Sequence, residues 1–134
     1  LAFIVGLFIG SVVNMFFINI SSSIITPPAG VDVTTEEGLK TGMHLFETKH
    51  FIFPFLAHAL GTFAGAFITS FIAINKKLIL ALVIGGLFLI GGISMVVMLP
   101  APTWFNVTDL LLAYIPFAYF GYKLAVIIKK EKRI

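Results

Sequence analysis

Three polar residues, Asn14, His58 and Asp109, lie within long apolar stretches of the sequence. An aspartate that accepts a hydrogen bond from a histidine ring N–H fixes the tautomer of the ring and favours imidazolium. Such a cluster in an apolar interior is typical of a proton relay or a ligand site. The alternative is structural: Asn14 and His58 hydrogen-bond between helices, while Asp109 caps its own helix near water. The sequence leaves both interpretations open.

A second set of polar residues has the spacing His44-x-x-Glu47-x-x-His50, with Glu36 and Glu37 upstream. A spacing of three residues puts a histidine and a carboxylate on one helix face, which suits metal ligation. A spacing of six, however, turns His50 well away from His44 on a helix. We therefore expect a solvated polar face here, with neither a metal ion nor a cofactor.

Other kinds of chemistry have no signature in this sequence. It contains no cysteine, which excludes disulfides, thiol nucleophiles and cysteine-based zinc or iron–sulfur sites. It also contains no H-E-x-x-H, no G-x-S-x-G and no phosphate-binding glycine loop. The formal net charge of +3 comes from basic residues beside apolar runs, so we expect no nucleic-acid partner.

The composition indicates an integral membrane protein with a single domain, residues 1–134. Hydrophobic residues make up 59% and charged residues 11% of the chain, more apolar than a soluble domain allows. Four apolar runs occupy about 1–25, 51–74, 78–99 and 107–128, and each is as long as the roughly 20 residues that span a bilayer. The predicted fold is all-α, a four-helix transmembrane bundle, with a candidate kink at Pro116 in the fourth helix.

The only substantial polar segment lies between the first two spans, at residues 27–50. Thr34-x-x-Glu37 has the spacing of a capping box, the N-terminal signal of a helix. Apolar residues then recur at i, i+4 and i+7: Leu39, Met43 and Phe46. We expect a short amphipathic helix over about 35–47 that lies on the membrane surface.

Basic residues predict the orientation of the chain. Seven of the nine Lys and Arg lie in the turn at 75–77 or towards the C-terminus, whereas Lys40 and Lys49 share the 27–50 loop with four acidic residues. By the positive-inside rule both termini face the cytoplasm and the loop faces outward. Four spans also require both termini on one side, so the span count and the charge pattern agree.

Small residues at helical spacing predict where helices pack. In the first run Gly6, Gly10 and Asn14 follow one another at intervals of four residues, and in the second run five residues share a face: His58, Gly61, Thr62, Gly65 and Thr69. We interpret Gly6, Gly10, Gly61 and Gly65 as helix-packing residues. The chain has more such faces than four helices need, which favours a homo-oligomer or a small subunit docked on a larger membrane protein.

Several short motifs occur in the order Pro27-Pro28-x-Gly30-x-Asp32, then Glu36, Glu37 and Leu39, then His58-x-x-Gly61-Thr62-x-x-Gly65, then Trp104-Phe105. Together they resemble a family of small four-span bacterial membrane proteins, known to us only as uncharacterised. The resemblance covers most of the chain. It implies four helices in the bacterial inner membrane, and it implies no activity and no site residues.

Three functional hypotheses follow. The first is a non-enzymatic structural or accessory protein whose outward loop contacts membrane lipids or a partner. The second is a small oligomeric channel or transporter with Asn14, His58 and Asp109 along a polar path, which requires His58 to face water. The third is an intramembrane enzyme acting on a lipid or quinone, with His58 as base and Asp109 orienting it. It requires the two side chains within hydrogen-bond reach beside a cleft that is open to lipid.

Overall fold

The structure, a computed structural model, describes residues 1–131 and is helical throughout that part of the chain, with no strand. Its helices are α1 (Ala2–Ile24), α2 (Glu36–Gly42), α3 (Ile52–Ile72), α4 (Lys77–Met98), α5 (Thr103–Leu112) and α6 (Ile115–Glu131), with 3₁₀ turns at Met43–Leu45 and Thr48–Phe51. Four segments are long and apolar enough to cross a membrane: Ala2–Ile24, Thr48–Ile72, Lys77–Met98 and Thr103–Glu131. The predictions of an all-helical fold and of four long apolar helices are confirmed.

Helix α3 lies at the centre and packs against α1, α4 and α6. Its buried residues are small, among them Ala57, Ala59, Ala66 and Ser70, so neighbouring backbones come close. A Cβ placed on Gly61 would lie 2.9 Å from the carbonyl oxygen of Gly10, and one on Gly65 would lie 3.0 Å from that of Gly6. The four predicted packing glycines therefore all lie at the contact between α1 and α3.

The fourth span begins earlier than the predicted position 107 and consists of two helices. It starts at Thr103 because the carbonyl of Pro102 accepts the first hydrogen bonds, from the N–H groups of Phe105 and Asn106 at 3.0 and 3.1 Å. Residues 113–114 then separate α5 from α6. Pro116 has no N–H to donate to the carbonyl four residues earlier. The predicted kink at Pro116 is thus a break in the helix just before it.

The helix in the 27–50 loop is shorter than expected and begins differently. Its N-cap is Thr35, whose hydroxyl accepts from the N–H of Gly38 at 3.0 Å, whereas the hydroxyl of Thr34 donates to Asp32 at 2.6 Å. The helix ends at Gly42, which fits tightly against Val31. The predictions of a capping box at Thr34 and of a helix that extends to residue 47 were therefore wrong, because contacts within the loop determine where the helix begins and ends.

The loop is nevertheless packed on the bundle. Met43 joins Phe51 and Phe105 in a buried apolar cluster that connects the loop with the starts of α3 and α5. The rings of Phe51 and Phe105 lie 4.7 Å apart, and Trp104 meets Phe51 edge to face at 5.5 Å. The first turns of α3 and α5 are thereby held side by side, which sets the position of the residues one turn further along each helix.

Candidate functional site

His58 on α3 and Asp109 on α5 form a close pair between the two helices. The ring Nδ1 of His58 lies 2.8 and 2.9 Å from the two carboxylate oxygens of Asp109. Because a carboxylate only accepts hydrogen bonds, Nδ1 carries the proton and donates it. The Asp109 side chain is 4% exposed and that of His58 is 18% exposed. The pair is thus a charge-assisted contact in a mostly apolar environment, where such contacts are strong.

Tyr114, two residues beyond the end of α5, completes the arrangement. Its hydroxyl donates to the carboxylate of Asp109 at 2.8 Å, and its ring stacks on that of His58 at 5.6 Å between centroids. The break before Pro116 lets a residue five positions after Asp109 reach back to it. Gly92 of α4 makes room for the tyrosine, because a side chain there would collide with the phenol group. Both Asp109 and the His58 ring are therefore fixed in orientation.

The other ring nitrogen of His58, Nε2, has no hydrogen-bond partner within residues 1–131. It is also not a buried atom, since Thr62 Oγ1 is the one fully buried side-chain polar atom without a partner in this part of the chain. One ring nitrogen of His58 is thus hydrogen-bonded to a buried carboxylate, and the other lies at the accessible surface. An imidazole in this arrangement can accept and release a proton at Nε2 while Nδ1 stays bonded.

The structure brings together two of the three polar residues predicted to meet. Asn14 packs against Gly61 on the α1 side, with its Cβ 2.9 Å from the position that a Cβ on Gly61 would take. No hydrogen bond joins Asn14 to His58 or Asp109 in the described residues. Asp109 is also not a helix cap, because α5 begins six residues earlier and its carboxylate is buried. That part of the structural interpretation was wrong.

His50, from the predicted polar face, is engaged on both sides of its ring. Its Nδ1 accepts from the N–H of Glu47 at 2.8 Å, and its Nε2 donates to the carbonyl of Thr26 at 3.1 Å. His50 is 8% exposed, whereas His44 is exposed. His50 therefore fastens the end of the first span to the start of α3. Among residues 1–131 no group of three His, Cys, Asp or Glu side chains has the geometry to hold a metal ion.

A shallow apolar groove of about 220 Å³ opens at the surface between the first turns of α3 and α5. Aromatic side chains line much of it, including Phe51, Phe55 and Trp104. Phe55 lies one turn before His58, and Thr108, also in the lining, precedes Asp109. The groove thus ends one turn from the pair. The hydrogen-bond condition of the enzymatic hypothesis is met as well.

No family model matches the chain, and no curated protein or solved structure matches it.

Proposed function

We propose that the chain is a multi-pass membrane protein and that His58 is its proton-exchanging group, oriented by Asp109 and Tyr114. Residues 1–131 contain four segments that are long and apolar enough to cross a bilayer. With the charge pattern described above, both termini lie on the cytoplasmic side, the short helix α2 lies at the outer surface, and the motif resemblance favours the bacterial inner membrane.

The proposal depends on one observation, the contact of His58 Nδ1 with Asp109 at 2.8 Å beside an Nε2 that has no partner in residues 1–131. A hydronium ion that reaches Nε2 transfers one proton to it and leaves water, and the reverse step releases the proton. The Asp109 carboxylate stabilises the imidazolium in between. This chemistry suits a small channel or transporter that carries or is coupled to protons, the second of the hypotheses above.

Chemical modification tests the accessibility of Nε2. Diethylpyrocarbonate acylates free imidazole nitrogens, and the three histidines of the chain provide their own controls. In nanodiscs we expect His44 to react fastest, His58 to react more slowly, and His50 to be protected because both of its nitrogens are bonded. Peptide mass spectrometry identifies the modified residue. Protection of His58 equal to that of His50 would contradict a free Nε2.

Proton flux tests the function itself. The purified protein is reconstituted in liposomes that contain a pH-sensitive dye, and a potassium gradient with valinomycin drives proton entry. We expect flux above that of protein-free liposomes, and at least a tenfold loss in His58→Gln. His44→Gln, on the exposed loop, serves as the matched control and should keep the wild-type rate. Flux that is unaffected by His58→Gln would refute the proposal.

The absence of cysteine in the chain makes the proposed orientation easy to test. Ala29→Cys lies in the 27–50 loop and Asn75→Cys in the turn between α3 and α4, and both positions are exposed. In intact cells a membrane-impermeant maleimide should label the cysteine at position 29 and leave the one at position 75 unlabelled. The reverse pattern would overturn the orientation.

A second candidate function is that of an accessory subunit, and the exposure of α1 favours it. This helix packs mainly on α3 and leaves a row of apolar side chains exposed, including Phe8, Val12 and Phe16. In the membrane this row would face lipid, a second copy of the chain or a larger partner. A Val12→Cys variant should form a cross-linked adduct whose mass identifies the neighbour, and Ile90→Cys on the exposed face of α4 is the control.

A further inference from the structure

Thr62 carries a hydroxyl that the described part of the protein leaves unpartnered. The residue is 0% exposed, and its Oγ1 is fully buried without a hydrogen-bond partner. A buried hydroxyl without a partner costs free energy, and proteins usually satisfy it with another group or with an ordered water molecule. Its position is therefore informative about what else binds there.

Thr62 and His58 lie one turn apart on the same face of α3, at i and i+4. A helical side chain leans towards the preceding turn, so the hydroxyl of Thr62 is directed towards the turn that carries His58. Asp109 bonds Nδ1 of the His58 ring, and Nε2 has no partner among the described residues. Two polar groups with unused hydrogen-bonding capacity, one buried and one at the accessible surface, thus lie on neighbouring turns of α3.

Within residues 1–131 no group is a hydrogen-bond partner of Thr62 Oγ1 or of His58 Nε2. Ala59 and Ala66 on α3 and Ile84 on α4 are buried and apolar, and Tyr114 directs its hydroxyl to Asp109. Asn14 packs on the α1 side of Gly61. A molecule that satisfies Thr62 must therefore be small and able both to donate and to accept a hydrogen bond.

We propose that the Thr62 hydroxyl and His58 Nε2 bind water, as one molecule or a short chain, and that this water continues the Asp109–His58 pair deeper into the membrane. The four-residue step corresponds to about 6 Å along the helix axis. The proposal rests on the proton-exchanging role of His58 and names the molecule that delivers the proton. A protonated water gives one proton to Nε2 and remains as neutral water bonded to Thr62.

The test is proton-detected solid-state NMR of the protein in deuterated lipid bilayers, with ¹⁵N-labelled histidine and ¹³C-labelled threonine. We expect magnetisation transfer from water to both the His58 ring and the Thr62 side chain. The transfer to His58 should weaken in Thr62→Val and persist in Thr62→Ser, which keeps the hydroxyl. Transfer to Thr69, whose hydroxyl contacts the carbonyl of Ala2 at 3.5 Å, provides the control for buried threonines.

Thermal unfolding gives a second, independent readout. If water satisfies Thr62, then Thr62→Val removes an anchor of that water and lowers the unfolding midpoint. If the hydroxyl is unsatisfied, the isosteric valine removes a buried polar group and raises the midpoint. A raised midpoint together with no water transfer to Thr62 would overturn the inference.

The failure of this inference is distinguishable from the failure of the proposed function. Water transfer to His58 without transfer to Thr62 overturns the shared site and leaves the proton-exchanging role intact. Absence of water transfer to both residues, together with protection of His58 from diethylpyrocarbonate, overturns both. Water transfer to both residues that is lost in Thr62→Val supports both.

Discussion

His50 and His58 lie eight residues apart and use the same ring in opposite ways. Both nitrogens of His50 bond to backbone groups, one accepting from Glu47 and one donating to Thr26. This arrangement requires the neutral ring, since a protonated Nδ1 could no longer accept. His58 bonds a carboxylate through one nitrogen, and its other nitrogen has no partner in the described part of the chain. Partners that only accept tolerate a change in protonation, and partners that need both a donor and an acceptor do not.

This difference in hydrogen bonding distinguishes the two histidines more sharply than their exposure does. His50 in the loop and Asp109 in the interior are both buried. The hydrogen bonds of the His50 ring are both to backbone groups. The carboxyl group of Asp109 is bonded instead by the side chains of His58 and Tyr114. Loss of the hydrogen bonds of His50 and loss of those of Asp109 should therefore lower the free energy of unfolding by different amounts.

Removal of Asp109 should have the largest effect. Asp109→Ala leaves the His58 ring and the Tyr114 hydroxyl without their partner, and breaking a buried pair in this way costs about 3–5 kcal/mol. His50→Ala removes two neutral hydrogen bonds and should cost about 1–3 kcal/mol. Denaturant unfolding of both variants in one detergent compares them directly. Equal losses would remove the energetic distinction between the two histidines.

Gly92 should be the next most sensitive position. In Gly92→Ala the new methyl group displaces the phenol of Tyr114 from Asp109, and overpacking of this kind costs about 1–3 kcal/mol. Gly91→Ala is the matched control, because a Cβ there meets nothing within 4 Å. The control should be neutral or slightly stabilising in the same unfolding assay, since alanine favours helix. A stable Gly92→Ala protein would show that Tyr114 does not hold Asp109.

Tyr114→Phe should have a smaller effect, since it keeps the ring stacked on His58 and removes one hydrogen bond to a charged acceptor. The expected cost is about 1.5 kcal/mol. Tyr119→Phe on the same span is the control, with an exposed ring that still contacts Lys123. If both variants unfold at the same denaturant concentration, the hydroxyl of Tyr114 contributes nothing measurable to the site.

The sequence reveals part of this site because a histidine and an aspartate in apolar runs are conspicuous. Tyr114 could not be recognised in that way, since tyrosine is common in membrane helices. The spacing placed Thr62 on the same face as His58 but could not show that its hydroxyl is buried without a partner. The role of Tyr114 depends on the break before Pro116, and that of Thr62 on the packing around α3, which are tertiary features. Tertiary packing also determines the position of Asn14, which lies against Gly61 on the α1 side.

The fold was predictable to a similar degree. Long apolar runs identify four helices almost by themselves, because no other element of that length satisfies its backbone in an apolar setting. The ends of α2 and α5 were not predictable at the same precision. Gly42 fits against Val31, and Pro102 supplies the first acceptor of α5, so each boundary depends on a contact or a carbonyl rather than on hydrophobic periodicity.

The smallest expected effect concerns the loop, where Asp32 is fully exposed. Hydrogen bonds from the hydroxyl and the N–H of Thr34 lower the pKa of Asp32 below its ordinary value of 3.8. Because the pKa is lowered in the folded loop, the ionised carboxylate stabilises the turn at pH values above the pKa that Asp32 has in the unfolded chain. That contribution is lost as the pH falls through the folded pKa. The turn before α2 should therefore open only at a pH below 3.8.

NMR measures this directly, because the amide signal of Thr34 reports the bond to Asp32. In a pH titration of the wild type, the chemical shift of this amide should change with a midpoint below pH 3.8. In Asp32→Asn the change should be absent. Thr34→Val removes the hydroxyl and should move the midpoint upward, towards the ordinary value. Unfolding of the four long apolar segments should be unchanged in both variants, since the hydrogen bonds given for the Asp32 carboxylate lie within the loop. A midpoint at or above 3.8 in the wild type would mean that these hydrogen bonds do not form in solution.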